Sequence, residues 1–213
     1  MKLLQKIISL VTTATIVMGL GSNLLAAPKS VKIDAAHFPD PGFRTYVSKK
    51  FDKDHNGTLS VNEIYDALNI YIDTKDNVES LQGIKYLSYL QEIIIYEVTL
   101  DDKELDLFNF FNLTKLYLIN VKGLEELTPG LLTTDLELDG CENLKKLNLE
   151  DCDYLSRLNL YKDKKLRGNI DTTASKYLSI LGVTDCGVSS VTVNKKSSLK
   201  YCYVDSSVKI IKK

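Results

Sequence analysis

LELDGCENLKKLNLEDCDYLSRLNLYKDKKL, residues 136–166, repeats itself every eleven residues. Leu136, Leu147 and Leu158 each open an L-x-L dyad, Leu144, Leu155 and Leu166 keep the same interval, and so do Cys141 and Cys152. Working outward and taking alternate dyads gives Ile93/Ile95, Leu116/Leu118, Leu136/Leu138, Leu158/Leu160, Leu181/Val183 and Cys202/Val204, one every 20 to 23 residues. A second series lies between them at Leu105/Leu107, Leu127, Leu147/Leu149, Ile170 and Val191/Val193. Each period therefore has two apolar sides, and such a coil cannot bury them until a neighbour stacks on it.

A period of 20 to 29 residues carrying L-x-x-L-x-L is the leucine-rich repeat signature. The expected fold class is an α/β solenoid, a right-handed coil with short parallel strands, running over residues 93–213 in about six short coils. The first series should form an inner parallel sheet. The second should line the opposite wall in extended or irregular turns, because eleven residues leave little room for a long helix. A globular α/β fold could also hold L-x-L strands but would not space them so evenly. Cys202 is expected as a small core residue at the start of the last strand, and the lysines of VKIIKK beside it should discourage edge pairing.

Ahead of the repeats stands FDKDHNGTLSVNE, Phe51 to Glu63, which satisfies D-x-[DN]-x-[DN]-G-x5-E from Asp52. Ca²⁺ takes six to eight oxygens, so a loop that holds it must wind ligands round the ion at alternate residues and close with a bidentate acid. Asp52, Asp54 and Asn56 would give side-chain oxygens, Thr58 its carbonyl, Ser60 a water, and Glu63 the closing carboxylate, with Gly57 at the bend. The metal-free alternative is an Asx-turn leading into a helix that Ser60 caps, since S-V-N-E is itself a capping box. Asp40 and Pro41 should start a first helix with Phe43, Tyr46, Val47 and Phe51 on one face, and Val61, Ile64 and Leu68 should share a face of a second. The whole predicts a single EF-hand, a helix-loop-helix cap over 28–72, joined to the repeats by a junction at 73–92 that contains SLQGIKYL. No second calcium loop follows, so the exposed flank of the hand should cover the open N-terminal end of the leucine stack.

The chain opens MKLLQKIISLVTTATIVMGLGSNLLAAPKS, with Lys2 and Lys6 before an apolar run and small residues at Ala26 and Ala27, which reads as a signal peptide over 1–27. A retained anchor helix is the alternative, although the run is short for a membrane span. Export implies a secreted or cell-surface protein with no further span. Removing Lys2 and Lys6 takes the formal charge from −1 to −3, a balance that gives no support to nucleic-acid binding. It also places the loop where calcium modules work at roughly 0.1 to 1 mM affinity.

Four cysteines in an exported chain invite disulfides. Cys141 and Cys186, however, occupy equivalent positions two coils apart, roughly 9 to 10 Å and beyond the reach of a bridge, while Cys141 and Cys152 lie on opposite sides of one coil, so buried free thiols are the better reading. His37 and His55 have no nucleophile, zinc or phosphate-loop context, and no enzyme is expected. Strand alternation turns Tyr96, Tyr117, Tyr161 and Tyr203 outward from the inner sheet, with Ile94, Ile119, Glu137, Asp139, Arg157 and Asn159. Tyrosines among mixed charges suit a concave protein-binding surface; they equally suit any half-exposed strand.

AAHFPDPGFRTYVSKKFDKDHNGTLSVNEI, a short strand, SLQGIKYL and L-x-L-x-x-C repeats together resemble the secreted, internalin-like leucine-rich repeat proteins of Gram-positive anaerobic bacteria. The resemblance covers nearly all of the chain after the leader and implies cell-surface attachment or protein binding. The expected function is an exported, noncatalytic, calcium-binding protein that holds a protein partner through its concave sheet, with Tyr96, Tyr117, Glu137, Asp139, Arg157, Asn159, Tyr161 and Tyr203 as contact residues. The alternative is a structural or scaffold component of a cell-surface assembly without a dedicated ligand face. Neither nucleic acid nor a small molecule is an expected ligand.

Overall fold

The computed structural model describes residues 29–213, so the leader expected over 1–27 lies outside the described residues. Strand β1 (Val31–Lys32), helix α1 (Pro41–Phe51), strand β2 (Thr58–Leu59) and helix α2 (Val61–Asp66) come first, followed by strand β3 (Asn69–Ile72) and single 3₁₀ turns at Thr74–Asp76 and Ile84–Tyr86. The strands of the repeats follow: β4 (Glu92–Tyr96), β5 (Glu104–Asp106), β6 (Lys115–Ile119), β7 (Glu126–Thr128), β8 (Asp135–Asp139), β9 (Lys146–Leu147), β10 (Arg157–Tyr161), β11 (Arg167–Thr172), β12 (Ile180–Thr184), β13 (Gly187–Val193), β14 (Tyr201–Val204) and β15 (Lys209–Lys212). No helix among the described residues is long and apolar enough to cross a membrane.

The dyads do what their spacing predicts. Leu136, Leu158 and Leu181 stand side by side in register, as do Leu138, Leu160 and Val183, and all six are at most 1% exposed. Burying one such side chain stabilises by roughly 1.5–3 kcal/mol, and each coil contributes its pair only because the next coil covers it. The result is a parallel β-solenoid of leucine-rich-repeat type whose principal sheet has seven strands in the order β14-β12-β10-β8-β6-β4-β3.

The second wall is extended, as its spacing implies: it is built of strands, in two three-stranded parallel sheets, β5-β7-β9 and β11-β13-β15, because a half coil of eleven residues suffices for an extended segment and not for three helical turns. Two features differ from the sequence reading. The principal sheet starts earlier than its first expected dyad, with β3 pairing in parallel on β4. Finally, Cys202 is exposed instead of buried, because its strand β14 is the edge of the sheet among the described residues and no coil covers it.

The N-terminal segment shares one hydrophobic core with the coils. Asp40 caps α1 by accepting the Phe43 N–H at 2.6 Å, and Pro41 opens it. The helix buries Phe43, Tyr46, Val47 and Phe51. Phe38 stacks edge-on to both Phe43 and Tyr86, and the Tyr46 hydroxyl accepts the Tyr71 N–H at 2.9 Å, so the helix is bonded to the sheet's first strand. Gly42 brings the backbone of α1 so close to the coil that a Cβ there would lie 1.9 Å from the Asn77 carbonyl oxygen. Helix α2 ends at Asp66, so Leu68 lies beyond it and Ile64 carries the packing of that short helix.

Candidate functional site

The loop between α1 and α2 is wound by its own polar side chains. Asp52 accepts the N–H groups of Asn56 at 3.1 Å and Gly57 at 3.0 Å, Asp54 accepts the Asn56 N–H at 3.2 Å, and Asn56 accepts the Thr58 N–H at 2.8 Å. His55 and Gly57 adopt left-handed φ of 57° and 77° to make the bend, which costs least at glycine. Glu63 closes the loop from α2: one carboxylate oxygen accepts the Lys53 N–H at 2.7 Å, and the other accepts the Ser60 N–H at 2.8 Å and the Ser60 hydroxyl at 2.7 Å. The expected capping box is present, with the Glu63 N–H donating to Ser60 Oγ at 3.3 Å. Burial pushes the Glu63 carboxyl up, but the hydrogen bonds from Ser60 and the backbone N–H groups of Lys53 and Asp54 outweigh it and hold the group below its ordinary value.

Of the six ligand residues read from the sequence, Asp52, Asp54 and Glu63 bring carboxylate oxygens within 4.8 Å of one another, and Asp52 and Glu63 are buried. Asn56, Thr58 and Ser60 sit in the same loop and are hydrogen-bonded into it. Two oxygens on opposite sides of one Ca²⁺ at 2.3–2.6 Å are at most about 5 Å apart, so the spread suits one ion. Among the described residues no lysine, arginine or histidine forms an ion pair with these three acids; Lys53 pairs with Asp66 instead. A hard, oxygen-preferring cation fits this donor set, and the arrangement could hold a metal.

The loop is braced from outside by a segment the sequence reading did not assign. Strand β1 pairs antiparallel with β2, Val31 opposite Leu59 and Lys32 opposite Thr58, and the Ile33 N–H donates to the Gly57 carbonyl at 2.9 Å. The flank expected to cover the leucine stack is thus divided: α1 docks on the first coil, and β1 covers the outer edge of the loop.

The eight expected contact residues fall on the outward face of the seven-stranded sheet, in three rows fixed by register. The first row runs Glu92, Lys115, Asp135, Arg157, Ile180, Tyr201; the second Tyr71, Ile94, Tyr117, Glu137, Asn159, Gly182, Tyr203; the third Tyr96, Ile119, Asp139, Tyr161, Thr184. In the first row Glu92 faces Lys115 at 3.4 Å and Asp135 faces Arg157 at 3.1 Å, the latter a charge contact without hydrogen-bond alignment. Tyr203, Tyr161 and Tyr96 are exposed, while Tyr117 is half-buried and its hydroxyl is shifted upward chiefly by that burial. The sequence reading missed Tyr71, which lies in the second row because β3 belongs to this sheet. It also missed Gly182, whose place between two buried strand residues was a visible signal for an opening in the face.

No protein-family model and no curated protein matches the sequence. Among solved structures, the functional domain of InlJ from Listeria monocytogenes, described as including a cysteine ladder, is similar to the chain with a TM-score of 0.48 and 18% identity. The likeness covers 87% of this chain and 49% of that one, so the chain spans about half the length of that domain.

Proposed function

We propose that this chain is an exported, calcium-binding leucine-rich repeat protein that docks a protein partner, in adhesion or another cell-surface interaction, through the outward face of its seven-stranded sheet. One observation carries the reading: residues drawn from seven strands and over a hundred positions of sequence converge on one face in three straight rows, with tyrosines and charges interleaved. Aromatic side chains set among polar groups on a preformed surface are what protein interfaces use as anchors.

Calcium is the ion the loop suits best. Asp52, Asp54, Asn56 and Glu63 would bind through side chains, Thr58 through its carbonyl and Ser60 through a water, and the ion would neutralise three clustered carboxylates. Its role is structural: the loop is tied to β1 on one side, and the helix it follows is packed on the first coil on the other, so little is free to open.

The test is capture of a partner from surface extracts by the wild-type chain and by a Tyr117→Ser/Tyr161→Ser double variant, each with and without chelator. Loss of capture in the variant, with an unchanged melting curve, supports the docking face. Equal capture by both proteins overturns it in favour of a scaffold that merely packs in an assembly.

A further inference from the structure

The outward face has a hollow of about 270 Å³ over strands β8, β10, β12 and β14. It exists because Gly182 interrupts the second row. Asn159 and Tyr203 flank that position, and a Cβ on Gly182 would come 2.8 Å from Asn159 Oδ1. Glu137, Asp139, Tyr161 and Tyr203 line the hollow, with Asp139 beside Tyr161 in the register and Tyr203 on the far side, beyond Gly182.

The charge of the face is concentrated here. Elsewhere on the three rows each carboxylate has a cation beside it, Glu92 with Lys115 and Asp135 with Arg157. Among the described residues neither Glu137 nor Asp139 is in an ion pair, so the excess negative charge of the face lies at the hollow. A third observation points the same way: the Lys162 Nζ, from the turn after β10, stands 4.5 Å from the centroid of the Tyr161 ring, so one of the chain's own cations already sits at the rim. An apolar side chain entering this space would strip water from two carboxylates without replacing it, and an anion would be repelled. A guanidinium can lie flat on a tyrosine ring while donating to carboxylates on its edge, which a compact ammonium cannot do equally well.

We infer that this hollow is the specificity pocket of the docking face and that it receives an arginine side chain of the protein partner, between Tyr161 and Tyr203 with its charge against Glu137 and Asp139. The inference rests on the docking role proposed above and adds to it the chemistry of the partner.

The experiment is an NMR titration of the isotopically labelled full chain, at low ionic strength, with Nα-acetylarginine methylamide as probe and the corresponding lysine and glutamate amides as comparisons. Saturable shifts are expected at Gly182, Thr184 and the rings of Tyr161 and Tyr203, smaller with the lysine amide and absent with the glutamate amide. A Glu137→Gln/Asp139→Asn variant should bind the arginine probe about tenfold more weakly, the combined effect of two exposed charge contacts. Lys162→Ala should bind it more tightly, because a competing cation is gone. Equal shifts with arginine and glutamate amides, shifts spread over other acidic surfaces, no shifts at all, or full binding by the Glu137→Gln/Asp139→Asn variant each overturn the pocket. A partner captured normally by that variant but not by Tyr117→Ser/Tyr161→Ser overturns the pocket and leaves the docking face standing, whereas capture by both variants overturns the face itself.

Discussion

Asp163 Oδ1 accepts the backbone N–H of Cys141 from the preceding coil at 2.8 Å, while its Oδ2 meets no hydrogen-bond partner although the side chain is fully buried. The residue stands in a column one position beyond the left-handed turn that follows five of the seven principal strands, at Glu97, Asn120, Gly140, Lys162 and Asp185. The other occupants of the column are Val98, Val121, Cys141 and Cys186. Among them the Asp163 carboxyl is pushed up to about 7 by burial, aided by the Asp139 charge and opposed by the Cys141 N–H, so it keeps its proton in mildly acidic solution.

Stability should therefore fall as pH rises. Below about pH 4 folded and unfolded chains both keep the Asp163 proton; between there and about 7 only the folded chain does, and each unit of pH removes about 1.4 kcal/mol at most, levelling off above 7. Urea unfolding at pH 5 to 8 should show this slope. Asp163→Asn keeps an acceptor for the Cys141 N–H and cannot ionise, so it should flatten the slope and be the more stable protein at pH 8 by roughly 2 kcal/mol.

The ion loop makes a paired prediction. Ser60→Ala removes the cap on α2 and should cost about 1 kcal/mol in chelator, yet leave most of the rise in melting temperature expected from millimolar calcium, since Ser60 would act on the ion only through a water. Glu63→Gln removes the closing carboxylate and should abolish that rise. Differential scanning calorimetry with and without calcium reads both, and a melting curve that ignores calcium in the wild-type chain rejects the site.

Docking of the N-terminal helix on the first coil can be broken by a single methyl group. In Gly42→Ala the new Cβ meets the backbone carbonyl of Asn77, which has no flexible side chain to move aside, so α1 must shift away. A cost of about 2 kcal/mol or more is expected, seen as a melting temperature lower by roughly 4 to 8 °C. Weaker calcium binding should accompany it, because Asp52 follows directly on the end of that helix.

The four cysteines are all free and differ in access. Burial pushes the Cys152 thiol up to about 12 and Cys186 to about 11, and drives Cys141 higher still. Cys202 lies exposed on the edge strand. Maleimide at neutral pH should therefore add one label quickly to the native chain, at Cys202, a second slowly at the part-buried Cys186, and two more only after unfolding, as intact-mass measurement would show. Reductant should leave the melting temperature unchanged, because Asp163 stands between Cys141 and Cys186 in their column and keeps those thiols two coils apart.

The solenoid was legible because a coil that stacks on copies of itself must repeat its buried dyad at nearly constant intervals. Ile70/Ile72 keep that interval, 23 residues before Ile93/Ile95, but their closeness to the ion loop masked their place in the sheet. The strands of the second wall were harder to read: Leu127 and Ile170 stand as single apolar residues, too sparse to announce a β-strand without the neighbours that pair with them. The loop between α1 and α2 was legible as a motif, because the polar residues that wind it stand at fixed offsets from Asp52. Its brace was not, since Val31 and Lys32 match no motif and their role arises only from pairing with β2. The burial of Asp163 was hidden for the opposite reason: the pattern placed an aspartate where a cysteine had stood, and nothing in a sequence records which side chains lose their water.

The pairing of β1 with β2 governs how the loop would respond to its ion. The strand at the loop's edge carries valine and lysine, so among the described residues β1 adds no carboxylate to the cluster of Asp52, Asp54 and Glu63. Occupancy would follow a plain hyperbola with a Hill coefficient of one, filling gradually across the millimolar range. Such a site would stiffen the loop by degrees as the ion is added and would have no threshold, in keeping with a structural role.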